Sequence, residues 1–297
     1  MRSTASRTTA FRTMVAVTAA LLAPTASLAQ QQLELPAASP AAKVMQRVGL
    51  TDVTVEYSSP AVKGRKVFGQ LVPYGQVWRA GANAATKVTF SRDVTFGDKA
   101  VPAGTYALVA IPAQKGAWTV ALNKELGLFQ GKTYDQAQDV VRVQASPARL
   151  AQPRERLTYL FSNATEDAAT LDLEWERVRL PVALKTDTPA HAKANIQAAL
   201  QGAPSDAATA RKRVAAARYL SESLKEHDAA LEHVNAGLAI ESNWYAVWSK
   251  AEILARKGQY AEAHTLAQQA HELGEKSQNF FFKADVEKAL KEWKRKG

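Results

Sequence analysis

The hexapeptide Trp78-Arg79-Ala80-Gly81-Ala82-Asn83 is the densest group of chemically useful side chains in this sequence. An indole face beside a guanidinium can hold a sugar ring or a carboxylate, because arginine offers a planar fork of donors and also stacks on rings. Asn83 adds an amide to the same turn. Lys63, Arg65 and Lys66 form a second basic group a little earlier. Each group also has a plain structural reading. Trp78 can plug the end of a β-sandwich while Arg79 pairs with a core carboxylate or with loop carbonyls. The basic run reads as a solvated turn.

Other chemistry is sparsely provided. The chain has no cysteine, which removes disulfides, thiolate metal sites and a thiol nucleophile. All five histidines (His191, His227, His233, His264 and His271) lie beyond residue 185, so the first half has neither a His-dependent triad nor a His-rich metal site. His264 and His271 can share a helix face but lack carboxylates at ligand spacing, so neither a metal nor a cofactor is expected. Asp93, Glu125, Asp135, Glu174 and Glu176 suffice in number for a glycosidase-like pair of carboxylates, if the fold brings two together. Glu174 and Glu176 alternate with Leu173 and Trp175 and are expected to face solvent.

Both basic groups sit in one connection, residues 58–85, which carries Gly64, Gly69, Gly75 and Gly81 with Pro60 and Pro73. Hairpin loops run to about 2–5 residues, so a connection this long should be functional or have a fold of its own. Strand-like segments flank it. Val53, Val55 and Tyr57 alternate with Thr54 and Glu56, and after the loop come strand patterns at 86–91, 94–96, 105–111, 118–122, 140–143, 157–161 and 171–180. Residues 123–138 read as a loop with a short helical turn. In the last strand Leu171, Leu173 and Trp175 share a face, while Val178 and Leu180 fall on the other parity. A one-residue bulge near Glu176 and Arg177 restores a common inward face. Short strands at this spacing predict an antiparallel β-sandwich or barrel over residues 41–184.

After Pro181 the period becomes helical, and residues 185–297 are expected to be all-α. Thr186-Asp187-Thr188-Pro189 is a helix start. Ala217 and Ala251, Leu220 and Leu254, Ala229 and Ala263, and Ala236 and Ala270 repeat at an offset of 34. That period, with Lys257-Gly258-Gln259-Tyr260 and Ala263, resembles the tetratricopeptide repeat, although Glu241 and Glu275 replace its closing prolines. Two units are fewer than the three a free solenoid needs, so a last helix near 278–295 is expected as a cap. Trp244, Tyr245, Trp248, Tyr260 and Phe280 to Phe282 read as packing between helices, with a peptide-binding groove as the rival.

Residues 1–29 have the parts of a secretory signal: Arg2, Arg7 and Arg12, a short apolar run, and small residues up to a cleavage position near Ala29. The apolar run is too short for a membrane anchor, so the chain is not expected to be an integral membrane protein. Residues 30–40 read as a flexible leader, and the location as periplasmic or secreted. Removing the signal's three arginines takes the formal charge from +10 to +7. The remaining excess is spread over both halves, which argues against nucleic acid and is compatible with an anionic envelope glycan.

Gly49-Leu50-Thr51-Asp52-Val53, Tyr57-Ser58-Ser59-Pro60, Val62-Lys63-Gly64-Arg65, Phe68-Gly69, Leu71-Val72-Pro73-Tyr74-Gly75 and Val77 to Asn83 follow in order along residues 39–184. With Pro102 to Tyr106, Trp118-Thr119-Val120, Leu122-Asn123 and Leu173-Glu174-Trp175, this region resembles the bacterial family known as domain of unknown function 2911. The resemblance implies no activity and assigns no catalytic residue. The expectation is a non-enzymatic exported protein that binds a glycan, or a protein or peptide through its helical repeat. The alternative is an envelope glycan or ester hydrolase in which Arg79 orients an anionic substrate.

Overall fold

Val53 and Val55 of the strand Thr51–Ser58 are fully buried while Thr54 and Glu56 are not, the alternation of a strand with one face on a core. In the computed structural model, which describes residues 35–297, that strand is β2 of a six-stranded sheet. The order is β1 (Ala41–Val48), β2, β3 (Thr86–Phe90), β6 (Gly104–Ile111), β7 (Trp118–Asn123) and β8 (Asp139–Ala145). A second sheet runs β5 (Lys99–Val101), β4 (Val94–Phe96), β10 (Ala168–Lys185) and β9 (Ala148–Ser162). Every pairing is antiparallel.

The two sheets face each other as an open sandwich. Val53, Val88, Phe90 and Leu122 meet Leu157, Leu171, Leu173 and Trp175 in one core. β6 is buried on both faces, which explains its unbroken apolar run: Leu108 and Ala110 join that core, while Ala107 and Val109 lie under Leu128 and Phe129 from the β7–β8 connection. That connection holds the short helical turn expected in it, a 3₁₀ turn at Gln136–Gln138.

The expected bulge in β10 is present. Register shifts on both sides of Glu176, which takes φ +54, and Leu180, Val182 and Leu184 then point into the same core as Leu171, Leu173 and Trp175. Two expectations need correction. β9 and β10 extend well beyond 157–161 and 171–180, because Ala148 to Arg156 form a polar, exposed edge strand that carries no apolar alternation. Glu174 does not face solvent; it is buried and receives both Nε and Nη2 of Arg154 at 3.0 and 2.6 Å. Asp172, two residues earlier on the same face, is fully buried and is bound by Arg179 and Ser162.

Six helices follow: α1 (Thr188–Leu200), α2 (Ala207–Glu222), α3 (His227–Ile240), α4 (Trp244–Arg256), α5 (Tyr260–Glu275) and α6 (Lys283–Trp293). Asp187 caps α1 through the backbone N–H of Ala190 at 3.0 Å, with Pro189 in the first turn. Gly258, at φ +80, follows the end of α4. The successive hairpins α2–α3 and α4–α5 are loosely consistent with two tetratricopeptide-like units. Ala38–Gly297 form one compact unit. The expected signal, residues 1–29, and the start of the leader lie outside the described residues.

Candidate functional site

The connection from β2 to β3 is a folded excursion that ties the two sheets together. It leaves β2 along the free edge of β9, with Leu157 N donating to Pro60 O at 2.9 Å and Val62 N to Glu155 O at 2.8 Å, and so covers that edge. A turn follows in which Lys63 and Gly64 have φ +49 and +68. Lys63 N donates to Glu155 Oε1, and the Arg65 guanidinium returns to the carbonyls of Ala61 and Val62 at 2.6 and 3.0 Å. Both side chains are exposed and neither lines a cleft with Trp78.

Val67, Phe68 and Val72 then enter the core. Trp78 pairs with Ala110 through backbone bonds of 2.8 and 2.9 Å, continuing the β6 ladder beyond the end of β3. Its indole stacks on Trp175 at 5.9 Å and meets Phe68 edge-on at the same separation, while its Nε1 donates to Gly81 O at 3.1 Å. Trp78 therefore packs as a plug.

Beyond it, Ala80 is fully buried at φ +47. Its carbonyl accepts from Thr86 Oγ1 at 3.0 Å and from Tyr159 Oη at 2.8 Å. Burial pushes the Tyr159 phenol far above its usual range, so this bond keeps its proton at all ordinary pH. Asn83 is exposed at φ +57; its amide donates to Ser58 Oγ and Ser39 O at 3.2 and 3.3 Å, and its carbonyl accepts from Arg79.

Arg79 settles over the Phe129 ring at 4.5 Å, and among the described residues no carboxylate pairs with it. It borders a small cleft of about 170 Å³ whose walls include Pro73, Val77, Trp78 and Phe129 and no acidic side chain. A hydrolase using a carboxylate beside Arg79 finds no partner among those walls.

The glycines, prolines and aromatics that fold this excursion are the residues that carry the family resemblance. Residues 39–184 match the family described as Protein of unknown function (DUF2911). No curated protein and no solved structure matches the chain. The matched residues contain both sheets, but for the last residue of β10, and the whole excursion, and the six helices lie beyond them.

A larger opening in the β half, about 390 Å³, lies where the excursion approaches the β9–β10 kink. Lys66, Tyr74, Arg149, Glu176 and Arg177 line it over a floor that includes the buried Phe68. Tyr74 is 38% exposed. Arg142, Arg154 and Arg179 each hold a carboxylate, whereas among the described residues Lys66, Arg149 and Arg177 do not. Of these residues only Lys66 was part of a sequence-level group. Arg149 and Arg177 lie in polar stretches with no motif, and only the bend at Glu176 brings them beside the loop.

Deeper in the β half, Asp139 binds Asn123, Tyr134 and Arg142 at 2.8, 2.5 and 2.8 Å. Burial pushes the Tyr134 phenol up to about 12, and its bond to Asp139 adds to this, so it stays protonated and serves as a structural donor.

In the helical half, Arg218 pairs with Glu252 at 2.6 Å and Arg256 with Glu222 at 3.2 Å, two links between positions 34 apart. Arg218 also lies over Tyr245 and Phe282. Trp244 packs against Tyr245, Phe280 and Phe281, of which Phe281 stays largely exposed. Among the described residues no group of three or more His, Cys, Asp or Glu is placed to hold a metal ion, and no helix is long and apolar enough to cross a membrane.

Proposed function

We propose that this chain is an exported, non-enzymatic binding protein whose β half captures an anionic envelope glycan in the cleft of Lys66, Tyr74, Arg149 and Arg177. The observation that carries this reading is the convergence of three cations without carboxylate partners and an exposed aromatic ring on one cleft of about 390 Å³. Guanidinium and ammonium groups without a carboxylate partner, Arg177 giving one N–H to Ala151 O, are available for charge-assisted bonds to sugar carboxylates, and the phenol ring offers a stacking face. Glu176 is the lone carboxylate among the lining residues, where glycoside hydrolysis uses a pair. Export rests on the signal-like residues 1–29. The helical half braces the sandwich in this reading, through Asn195 on Arg92 and Thr188 on Glu166 O.

Isothermal titration with oligogalacturonate tests it. Saturable binding that weakens with added salt is expected, together with a loss of about tenfold or more in the Lys66→Ala, Arg149→Ala, Arg177→Ala triple variant. Wild-type affinity in that variant, or no binding of the wild-type protein, would sink the idea. A neutral gluco-oligosaccharide binding equally well would do so too.

A further inference from the structure

A second pocket has different chemistry. It lies between α1, α2 and the β1–β2 turn, encloses about 320 Å³, and is walled by Leu50, Ala192, Ile196, Leu200, Ala216 and Tyr219. That volume is at the lower end of the roughly 300–1,000 Å³ typical of small-molecule sites. α1 contributes to it because the helix is lightly packed: Ala192 is its one buried residue, and Ile196 and Leu200 are half-buried.

The lining residues that carry polar groups are Lys212, Asn195 and, through its phenol, Tyr219. Lys212 is the one charged residue among the lining side chains. Arg92 Nη1 donates to Asn195 Oδ1 at 3.4 Å, which occupies the amide's acceptor and leaves its N–H groups available. The same arginine holds the Leu50 carbonyl through Nε at 2.9 Å, so one side chain of the β half orders two walls of the pocket. The rim thus presents an ammonium and an amide donor above an apolar slot. It suits an anionic acceptor, since no lining residue is acidic and Asp206, close to Lys212, stands outside the lining.

We propose that this pocket binds a single-chain fatty carboxylate, with the alkyl chain against Leu50, Ile196, Leu200 and Tyr219 and the carboxylate on Lys212 and Asn195. The site is independent of the cationic cleft in the β half.

Titration calorimetry on the full chain with octanoate, decanoate and dodecanoate, each below its micelle concentration, tests the proposal. Affinity should rise about fourfold per added methylene until the slot is filled. Lys212→Glu should weaken dodecanoate at least about tenfold while leaving dodecanol within about twofold. Ala215 is exposed at the pocket wall, so Ala215→Trp should fill the slot and abolish binding with an unchanged thermal transition. If Ala215→Trp lowers that transition, the Lys212→Glu comparison of the two head groups decides. Absence of saturable dodecanoate binding overturns the proposal, as does undiminished binding in a folded Ala215→Trp variant. Equal affinity for dodecyltrimethylammonium, or indifference to Lys212→Glu, overturns the assignment of the head group.

Discussion

A methyl group on Gly81 would lie 2.7 Å from Thr86 Oγ1 and 3.3 Å from Ser58 O, so this position is closed to side chains by its neighbours. Gly81→Ala should destabilise the protein by about 1–3 kcal/mol, the usual cost of overpacking, in a urea titration. Trp78 and its neighbour Arg79 separate at the same scale. Trp78→Ala removes an indole stacked on Trp175 and should cost about 3 kcal/mol, the low end for such truncations because the ring is only half-buried. Arg79→Ala removes a contact with Phe129 and a bond to the Asn83 carbonyl at the half-exposed rim and should cost about 1 kcal/mol. Equal losses for the two would contradict the division between plug and rim. The parting of these two roles was among the readings of the hexapeptide, but the close approach at Gly81 and the rings against which Trp78 and Arg79 lie were not, because they depend on Thr86, Trp175 and Phe129, which other segments deliver.

At the scale of elements, β10 decides the shape of the β half. Its change of parity was legible, since Leu171, Leu173 and Trp175 cannot share a face with Val178 and Leu180 unless a residue is inserted. What the bend assembles was not legible. Arg179 reaches back to Asp172, seven residues earlier, with Nε donating at 2.8 Å and Nη2 at 3.1 Å, and Ser162 completes the group at 2.5 Å. Asp172→Leu leaves the Arg179 guanidinium without its carboxylate and should cost about 2 kcal/mol or more by chemical denaturation. Adding Arg179→Met should restore part of that loss, because the partner's uncompensated charge goes with it. If the double variant is as unstable as the sum of the two single changes, the pair is not coupled. The solvent-facing expectation for Glu174 failed for a related reason. Period-2 alternation separates two faces of a strand without telling whether the outer one is covered, and here Arg154 folds over it.

Over the whole molecule, the β and helical halves have separate hydrophobic clusters, one around Trp175 and others around Val214 and Trp248. Acid should act on them unequally. Burial, helped by the charge of Arg213 and opposed by that of Glu232, holds the His233 imidazole below its ordinary value. A depressed folded-state value means that the unfolded chain takes up the proton first. The stabilisation is therefore present above the ordinary histidine range and is lost as pH falls through it. Thermal unfolding followed by helical circular dichroism should shift downward between pH 7.5 and 5.5, and His233→Gln should flatten that shift. An unchanged slope in the variant would exclude His233 as its source.

Composition and periodicity were enough to separate a β half from a helical half, to site the helix start at Asp187 and the stop at Gly258, and to single out residues 58–85 as a folded connection. These are local properties, set by backbone preference and by which face a side chain occupies. Placement was decided only in three dimensions. Trp78 became packing because Trp175 stands beneath it, and Lys63 and Arg65 became turn residues because carbonyls and Glu155 lie within reach. Lys66 met Arg149 and Arg177 only because β10 bends at Glu176. Charges that are distant in sequence carry no joint signal, since their interaction depends on the separation that tertiary structure alone assigns.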